Sequence, residues 1–173
     1  RVKSSKNQIR SVSTLFWNNS NQRISLLLEH ENEDFKQQGP INDYGIYGIF
    51  DPNQQRTRKT DSASIEYRTK LYPGSIFAVS SRYDKNSQFK NGTTARAELI
   101  LPLSKSLKLR SSYGTAIKNP TFTERFGYYT NFIGNPDLQP EYSKNLELGF
   151  DFDLQNYNSL FSATLFKSRL VDE

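Results

Sequence analysis

The chain has 173 residues, with 23 basic against 18 acidic side chains and a net charge of +5. With no cysteine and with His30 as its single histidine, it excludes a disulfide scaffold, a thiolate zinc site and a cysteine nucleophile. No run approaches the roughly 18 apolar residues of a membrane helix, yet twelve Phe, ten Tyr and one Trp are too many aromatics for a disordered chain.

Apolar side chains instead recur at every second position, the period of a strand. In chain order, strands are expected near 6–17, 23–38, 61–72, 75–85, 93–102, 106–118, 141–153 and 159–170. The first two are the least clean, because Ser11 to Phe16 does not separate into two faces. In the second, Glu29, Glu31 and Glu33 share one face, with His30 and Asp34 on the other. From Ala63 to Leu71, Ala63, Ile65, Tyr67, Thr69 and Leu71 alternate with Ser64, Glu66, Arg68 and Lys70. Thr93 to Leu103 sets Ala95, Ala97, Leu99 and Leu101 against Arg96 and Glu98. The stretch after it sets Leu107, Leu109, Tyr113, Thr115 and Ile117 against Lys108, Arg110, Ser112 and Gly114. Short connections fall at 18–22, 73–74, 103–105 and 154–158, and long ones at 39–60, 86–92 and 119–140.

Antiparallel strands with short turns on one side and long loops on the other describe an outer-membrane barrel. A soluble sandwich or small barrel also alternates. Three observations favour the membrane. The strands match the roughly 9–11 residues that cross a bilayer. The apolar faces lack charge in their middle portions. Where such a face is charged, at Lys144, Lys167 and Arg169, the charge lies near the long-loop end, and there a cation costs about 0–1 kcal/mol rather than about 2–4 at the midplane. The fold class expected is therefore all-β, an antiparallel transmembrane β-barrel, present as a partial barrel of about eight strands. The polar faces, with Glu66, Arg68, Arg82, Asp84, Arg96, Glu98, Lys108, Arg110, Glu147 and Asp151, would point inward, where opposite charges on neighbouring strands pair. The positive balance is expected on this inner face and on the loops.

Residues 111–149 contain Tyr113-Gly114-Thr115, then Pro120 and Phe122, then Gly134-Asn135-Pro136-Asp137-Leu138-Gln139-Pro140-Glu141, then Glu147-Leu148-Gly149. This order closely resembles the barrel signature of TonB-dependent outer-membrane receptors. Ser81-Arg82-Tyr83-Asp84 with Phe89, and Ala163 to Arg169, resemble the strands on either side. The residues carrying the motif are Tyr113, Gly114, Pro120, Gly134, Asn135, Pro136, Leu138, Pro140 and Glu141. Physically they read first as a structural clamp. Pro136 and Pro140 fix φ, Gly134 permits a backbone conformation other residues resist, and Leu138 is an apolar anchor.

The resemblance implies a barrel of about 22 strands with its lumen plugged, of which this chain would be one part, residues 1–173 with the plug domain and remaining strands absent. The start at Arg1 and the end at Glu173 fit an internal piece. It further implies the outer membrane of a Gram-negative bacterium, contact with lipid and lipopolysaccharide, and TonB-energised uptake of a scarce nutrient such as a metal chelate (siderophore-like) or cobalamin. TonB would act through the plug.

Long loops carry function, and Tyr44, Tyr47, Arg56, Arg58, Tyr128 and Tyr129 suit an anionic or aromatic ligand. For each of these residues, loop packing or lipopolysaccharide contact is the simpler account. No nucleophile–base or paired-carboxylate arrangement stands out, so no catalytic residue is expected, and neither is a cofactor or a metal site. Nucleic acid is not expected as a partner, since bases alternate with acids and the concentration at Arg56, Arg58 and Lys59 is flanked by Asp51 and Asp61. Two alternatives remain at this point: a passive porin or small structural barrel, and a soluble carbohydrate-binding β-sheet module.

Overall fold

Residues 1–43, 45–47, 49–129, 132–154 and 158–171 are described by the structure, a computed structural model; the side chains of Tyr47, Phe50, Tyr128, Tyr129 and Phe132 lie outside that description. Alternation is realised as strands in the order β1 (Val2–Trp17), β2 (Gln22–Gln37), β3 (Asn42–Asp43), β4 (Ile49–Phe50), β5 (Gln54–Thr69), β6 (Ile76–Asn86), β7 (Gly92–Pro102), β8 (Leu107–Lys118), β9 (Tyr128–Tyr129), β10 (Phe132–Ile133), β11 (Glu141–Leu154) and β12 (Ser159–Val171). A 3₁₀ turn spans Gly45–Tyr47, and one short helix, α1, spans Phe122–Phe126. Eight strands form one antiparallel sheet in the order β1-β2-β5-β6-β7-β8-β11-β12, while β3 pairs with β4 and β9 with β10.

The expected strands are present, with one shift that matters. β5 begins at Gln54 rather than near 61, so Arg56 and Arg58 stand on a strand and not in a loop. Polar pairs extend the ladder where the apolar pattern stops: Asp34 opposes Thr57 and Glu33 opposes Arg58, with the Thr57 hydroxyl donating to Asp34 Oδ1 at 2.8 Å. β1, β2 and β5 each run 16 residues, beyond the roughly 9–11 that cross a bilayer. Their surplus length carries the long-loop end.

The opposite end is held by tight turns. Asn18, Asn19 and Ser20 all take positive φ, a region Asn tolerates better than most residues. At Tyr72-Pro73-Gly74-Ser75, proline presets the first central residue and Gly74 takes φ 81 at the second, the demand of a type II turn. Ser75 closes it with N–H to Tyr72 O at 3.0 Å.

Register sorts the charges. Glu29 bridges two strands on the inner face. Its carboxylate accepts from Arg10 Nε at 2.7 Å and from Arg82 Nη2 at 2.9 Å, with 5% of its side chain exposed. Arg82 also donates to Asp84 at 2.8 Å. Pairs Lys6–Glu31, Arg23–Glu66, Arg96–Glu98, Arg110–Asp151 and Lys118–Glu141 continue around the same face. Among the described residues His30–Asp61 is the one ion pair on the outer face. The inner face is not uniformly polar, because Val12 and Phe16 on β1 and Phe166 and Leu170 on β12 share it.

The outer face is apolar from Leu26, Ile65, Val79 and Tyr113 to Leu146, Leu148 and Phe150, all well exposed. Above this band it carries, among the described residues, seven cations, Lys3, Lys36, Lys59, Lys85, Lys144, Lys167 and Arg169, against two acids, Asp34 and Asp61. That surplus equals the net charge of +5. The expectation of an inward and loop-borne surplus is thus corrected: those regions balance, and the excess rings the outside of the long-loop end.

Assigning this band to lipid makes a specific demand. Leu148→Arg, near the middle of β11, is expected to cost about 2–4 kcal/mol of stability in a bilayer, and the same charge at Tyr142, near the rim, about 0–1. Urea unfolding of the complete protein in lipid vesicles measures both. Equal costs at the two depths would refute the lipid-facing assignment.

Candidate ligand-binding mouth

The long connection after β8 does not stand away from the sheet. It turns over the inner face and docks on the extended ends of β2 and β5. Helix α1 starts with a capping box: the Thr121 hydroxyl accepts from Glu124 N–H at 3.1 Å, and Glu124 Oε2 accepts from Thr121 N–H at 2.7 Å. Such reciprocal caps satisfy donors that a helix start leaves open. The helix lays Phe122, 6% exposed, against Phe35, 1% exposed, with ring centroids 5.6 Å apart and nearly parallel. Among the described residues these two, Ala78, Pro52 and Pro120 are the buried apolar side chains, so this contact is the local core.

Arg58 lies buried beneath the helix. Its Nε donates to Glu33 Oε2 at 2.7 Å and its Nη1 to Pro120 O at 2.7 Å, while the guanidinium sits 5.1 Å from the Phe122 centroid. Arg125, on α1, donates through Nε and Nη2 to Pro136 O at 3.0 and 2.6 Å and through Nη1 to Gln88 at 3.0 Å. It lies over Phe126 at 4.8 Å and Phe89 at 4.9 Å. Arg56 covers the Phe126 ring at 5.0 Å and stays exposed. Burial, and then the like charges of Arg58 and Arg56, push the Arg125 guanidinium below its ordinary value, with Asp137 opposing. Three guanidiniums thus converge on a cluster of phenylalanines, and Glu33 directly neutralises one of them. Below, the inner face leaves a polar hollow of about 330 Å³ reached by Glu31, Arg58, Thr60, Arg82, Asp84 and Asn119.

The motif residues assemble the floor of this mouth. Pro120 and Pro136 supply the carbonyls that hold Arg58 and Arg125. Asn135 N–H donates to Glu124 O at 2.9 Å, and Gly134 N–H to Gly127 O at 2.8 Å. Gly134 is required by closeness rather than by a special φ: a Cβ there would lie 2.6 Å from the Arg125 carbonyl carbon. This corrects the conformational reason expected for it. Asn135 Oδ1 accepts from Asp137 N–H at 2.9 Å, Leu138 and Pro140 are half-buried, and Glu141 pairs with Lys118 at 3.4 Å. Tyr113 faces outward, and Gly114 opposes Arg96 and Asn145 on the inner face.

Of the expected ligand contacts, Arg56 and Arg58 meet at this cluster. Tyr44 falls outside the described residues. Tyr47 ends the 3₁₀ turn, and Tyr128 and Tyr129 form β9, with their side chains outside the description. Sequence reasoning missed Arg125 and the Phe35–Phe122 contact. Thr121-x-x-Glu124 with Phe122 and Phe126 four apart was the available signal.

The family described as "TonB dependent receptor-like, beta-barrel" matches residues 4–173. The chain belongs to that family. The vitamin B12 transporter BtuB of Photobacterium profundum is 30% identical over 105 residues, covering 53% of this chain and 17% of that protein. The siderophore receptor PirA of Acinetobacter baumannii superposes with TM-score 0.76 at 20% identity, covering 99% of this chain and 27% of that one. A mutant of the ferric enterobactin receptor PfeA of Pseudomonas aeruginosa gives TM-score 0.78 at 17% identity, again over 99% of this chain and 27% of that one. At such identities the likeness concerns the fold. The chain spans about a quarter of these receptors, and its eight strands form an unclosed part of a barrel.

The Thr121 backbone N–H, then its hydroxyl, hold the Glu124 carboxyl below its ordinary value. The cap therefore contributes its stability in full above the ordinary carboxylate range and loses it as pH falls through the lowered value. Amide-exchange protection at Asn135, corrected for intrinsic rates, is expected to fall over that acid window. Glu124→Gln should flatten the profile, and Thr121→Ala should cost about 1 kcal/mol of local stability at neutral pH. Protection independent of pH in the parent protein would contradict the cap's role.

Proposed function

We propose that this chain is the wall and part of the mouth of an outer-membrane receptor that captures an anionic metal chelate and passes it inward with energy from TonB. The reading rests chiefly on one observation: Arg56, Arg58 and Arg125 gather around Phe89, Phe122 and Phe126 at the long-loop end of the inner face. Guanidiniums backed by aromatic rings, under-neutralised and partly shielded from water, favour an anion that also presents flat or apolar surface. Arg56 is the exposed member and takes the ligand, assisted by Tyr44, Tyr47, Tyr128 and Tyr129. Arg58, committed to Glu33 and Pro120, fixes the loop that carries Tyr128 and Tyr129.

Family membership supports transport over catalysis and over a soluble carbohydrate module. The remaining strands, a plug domain that closes the lumen and the contact with TonB are parts of the same proposal, as is residence in the outer membrane of a Gram-negative cell. A second reading, cobalamin uptake, draws on the 30% identity to a vitamin B12 transporter.

Binding by the complete receptor separates the two. Arg56→Ala is expected to weaken an anionic ferric chelate about tenfold, the scale of one charge-assisted hydrogen bond, with cobalamin not bound. Tyr128→Ala with Tyr129→Ala is expected to add to the loss. Unchanged chelate affinity in both variants would reject the mouth assignment, and tight cobalamin binding would select the second reading.

A further inference from the structure

Arg56 is the exposed arginine of the mouth, and a long side chain in that position is free to move. Its hydrogen bond from Nη1 to the neighbouring Gln55 carbonyl, at 3.2 Å, links it only to its own strand. An arginine that becomes ordered only when a ligand arrives gives up rotamer freedom at that moment, which weakens binding about twofold to tenfold. A ligand contact therefore gains from being held in place beforehand.

The Phe126 ring does this, with its centroid 5.0 Å from the Arg56 guanidinium carbon. The ring is itself placed from two sides. The Gln54 side-chain amide, two residues before Arg56 on the same face of β5, donates to the Phe126 carbonyl. Arg125 lies over the same ring at 4.8 Å and is held in turn by Pro136 and Gln88. Behind it Phe89 stands 4.9 Å from Arg125 and 5.8 Å from Arg58, which lies 5.1 Å from the Phe122 centroid. Cations and rings thus alternate from Arg56 through Phe126, Arg125, Phe89 and Arg58 to Phe122, joining β5, the β6–β7 connection and α1.

The rings of this series differ in what they do. Phe122 is buried against Phe35 and serves packing. Phe126 is half-buried and tilted against Phe122 at 6.4 Å, and it is the ring that reaches the exposed arginine. Ring faces attract cations, so one ring shared by Arg56 and Arg125 holds two like charges near each other. An anion arriving at Arg56 relieves that repulsion and meets a guanidinium already in position.

We propose that Phe126 is a positioning residue that orders Arg56 in advance for an anionic ligand. The ring contributes to affinity through Arg56 and not by touching the ligand. This role rests on the reading of Arg56 as the ligand contact.

A double-mutant cycle on the complete receptor in detergent tests it. Ferric citrate and a ferric tris-catecholate are the anionic probes, and the tighter of the two is carried through. Phe126→Leu keeps apolar bulk but removes the ring face, and is expected to weaken binding about fivefold. In the Arg56→Ala background the same change is expected to have no effect. Phe126→Tyr keeps the face and should bind as the parent does. Should Phe126→Leu fail to assemble, Gln54→Ala, which releases the Phe126 carbonyl, replaces it in the cycle with a loss of about twofold. Unchanged affinity in Phe126→Leu, an equal loss with and without Arg56, or a Tyr variant as weak as the Leu variant overturns the positioning role. The two readings fail differently. A parent receptor that binds neither probe, or an Arg56→Ala variant that binds as the parent does, overturns the ligand contact and this role with it. Additive losses, with Arg56→Ala still weak, overturn this role alone.

Discussion

Glu29 sits between Arg10 and Arg82 with hardly any water around it, and the rest of the sheet obeys the constraint that this triad makes explicit. A carboxylate removed from water must find its countercharges on neighbouring strands. Register decides whether it does. A slip of one residue would turn Glu29 toward the apolar band and Leu28 toward the charged wall. The paired wall therefore fixes register as firmly as a hydrophobic core would, in a protein whose buried apolar side chains, among the described residues, are few: Phe35, Ala78, Phe122, Pro52 and Pro120.

The same ladder positions the mouth. Because Glu33 continues the inner row beyond Glu29 and Glu31, β5 must bring Arg58 opposite it, and Arg58 then offers a second donor to Pro120. The loop is anchored to a strand residue, not merely folded on itself. Its helix is too short to persist alone, so the capping box, the Phe35–Phe122 contact and the close approach of Gly134 to Arg125 act together. They hold Arg125 on α1 beside Arg56 on β5, both over the Phe126 ring.

Legibility in the sequence divided along a physical line. Strands such as 93–102, 106–118 and 141–153 were readable to within a residue or two, because alternation of apolar and polar side chains is a local signal. The start of β5 was not, because Arg56-Thr57-Arg58-Lys59 is polar on both faces and its ladder is set by partners on β2 more than twenty residues away. The Gly-Asn-Pro-x-Leu-x-Pro-Glu motif was visible as a clamp, yet what it clamps, the backbone of Arg125, depends on a fold-back that no local pattern encodes. Arg58 shows the same limit. Its charge suggested a ligand contact, whereas its partners Glu33 and Pro120 emerge only when strand and loop meet.

Charge sorting connects these observations. Outside, above the apolar band, cations exceed acids among the described residues by the whole net charge of the chain, so that inner face and loops taken together are neutral. Composition alone made +5 look diffuse. A surplus confined to one edge of one face cannot be explained by solubility, which is indifferent to placement, nor by pairing within the wall, whose acids face the other way. It lies at the depth where a cation on a lipid-facing strand costs least. The β11–β12 rim shows the sorting most clearly, since Lys144 opposes Arg169 there while two and four steps further along β11 the same face carries Leu146 and Leu148.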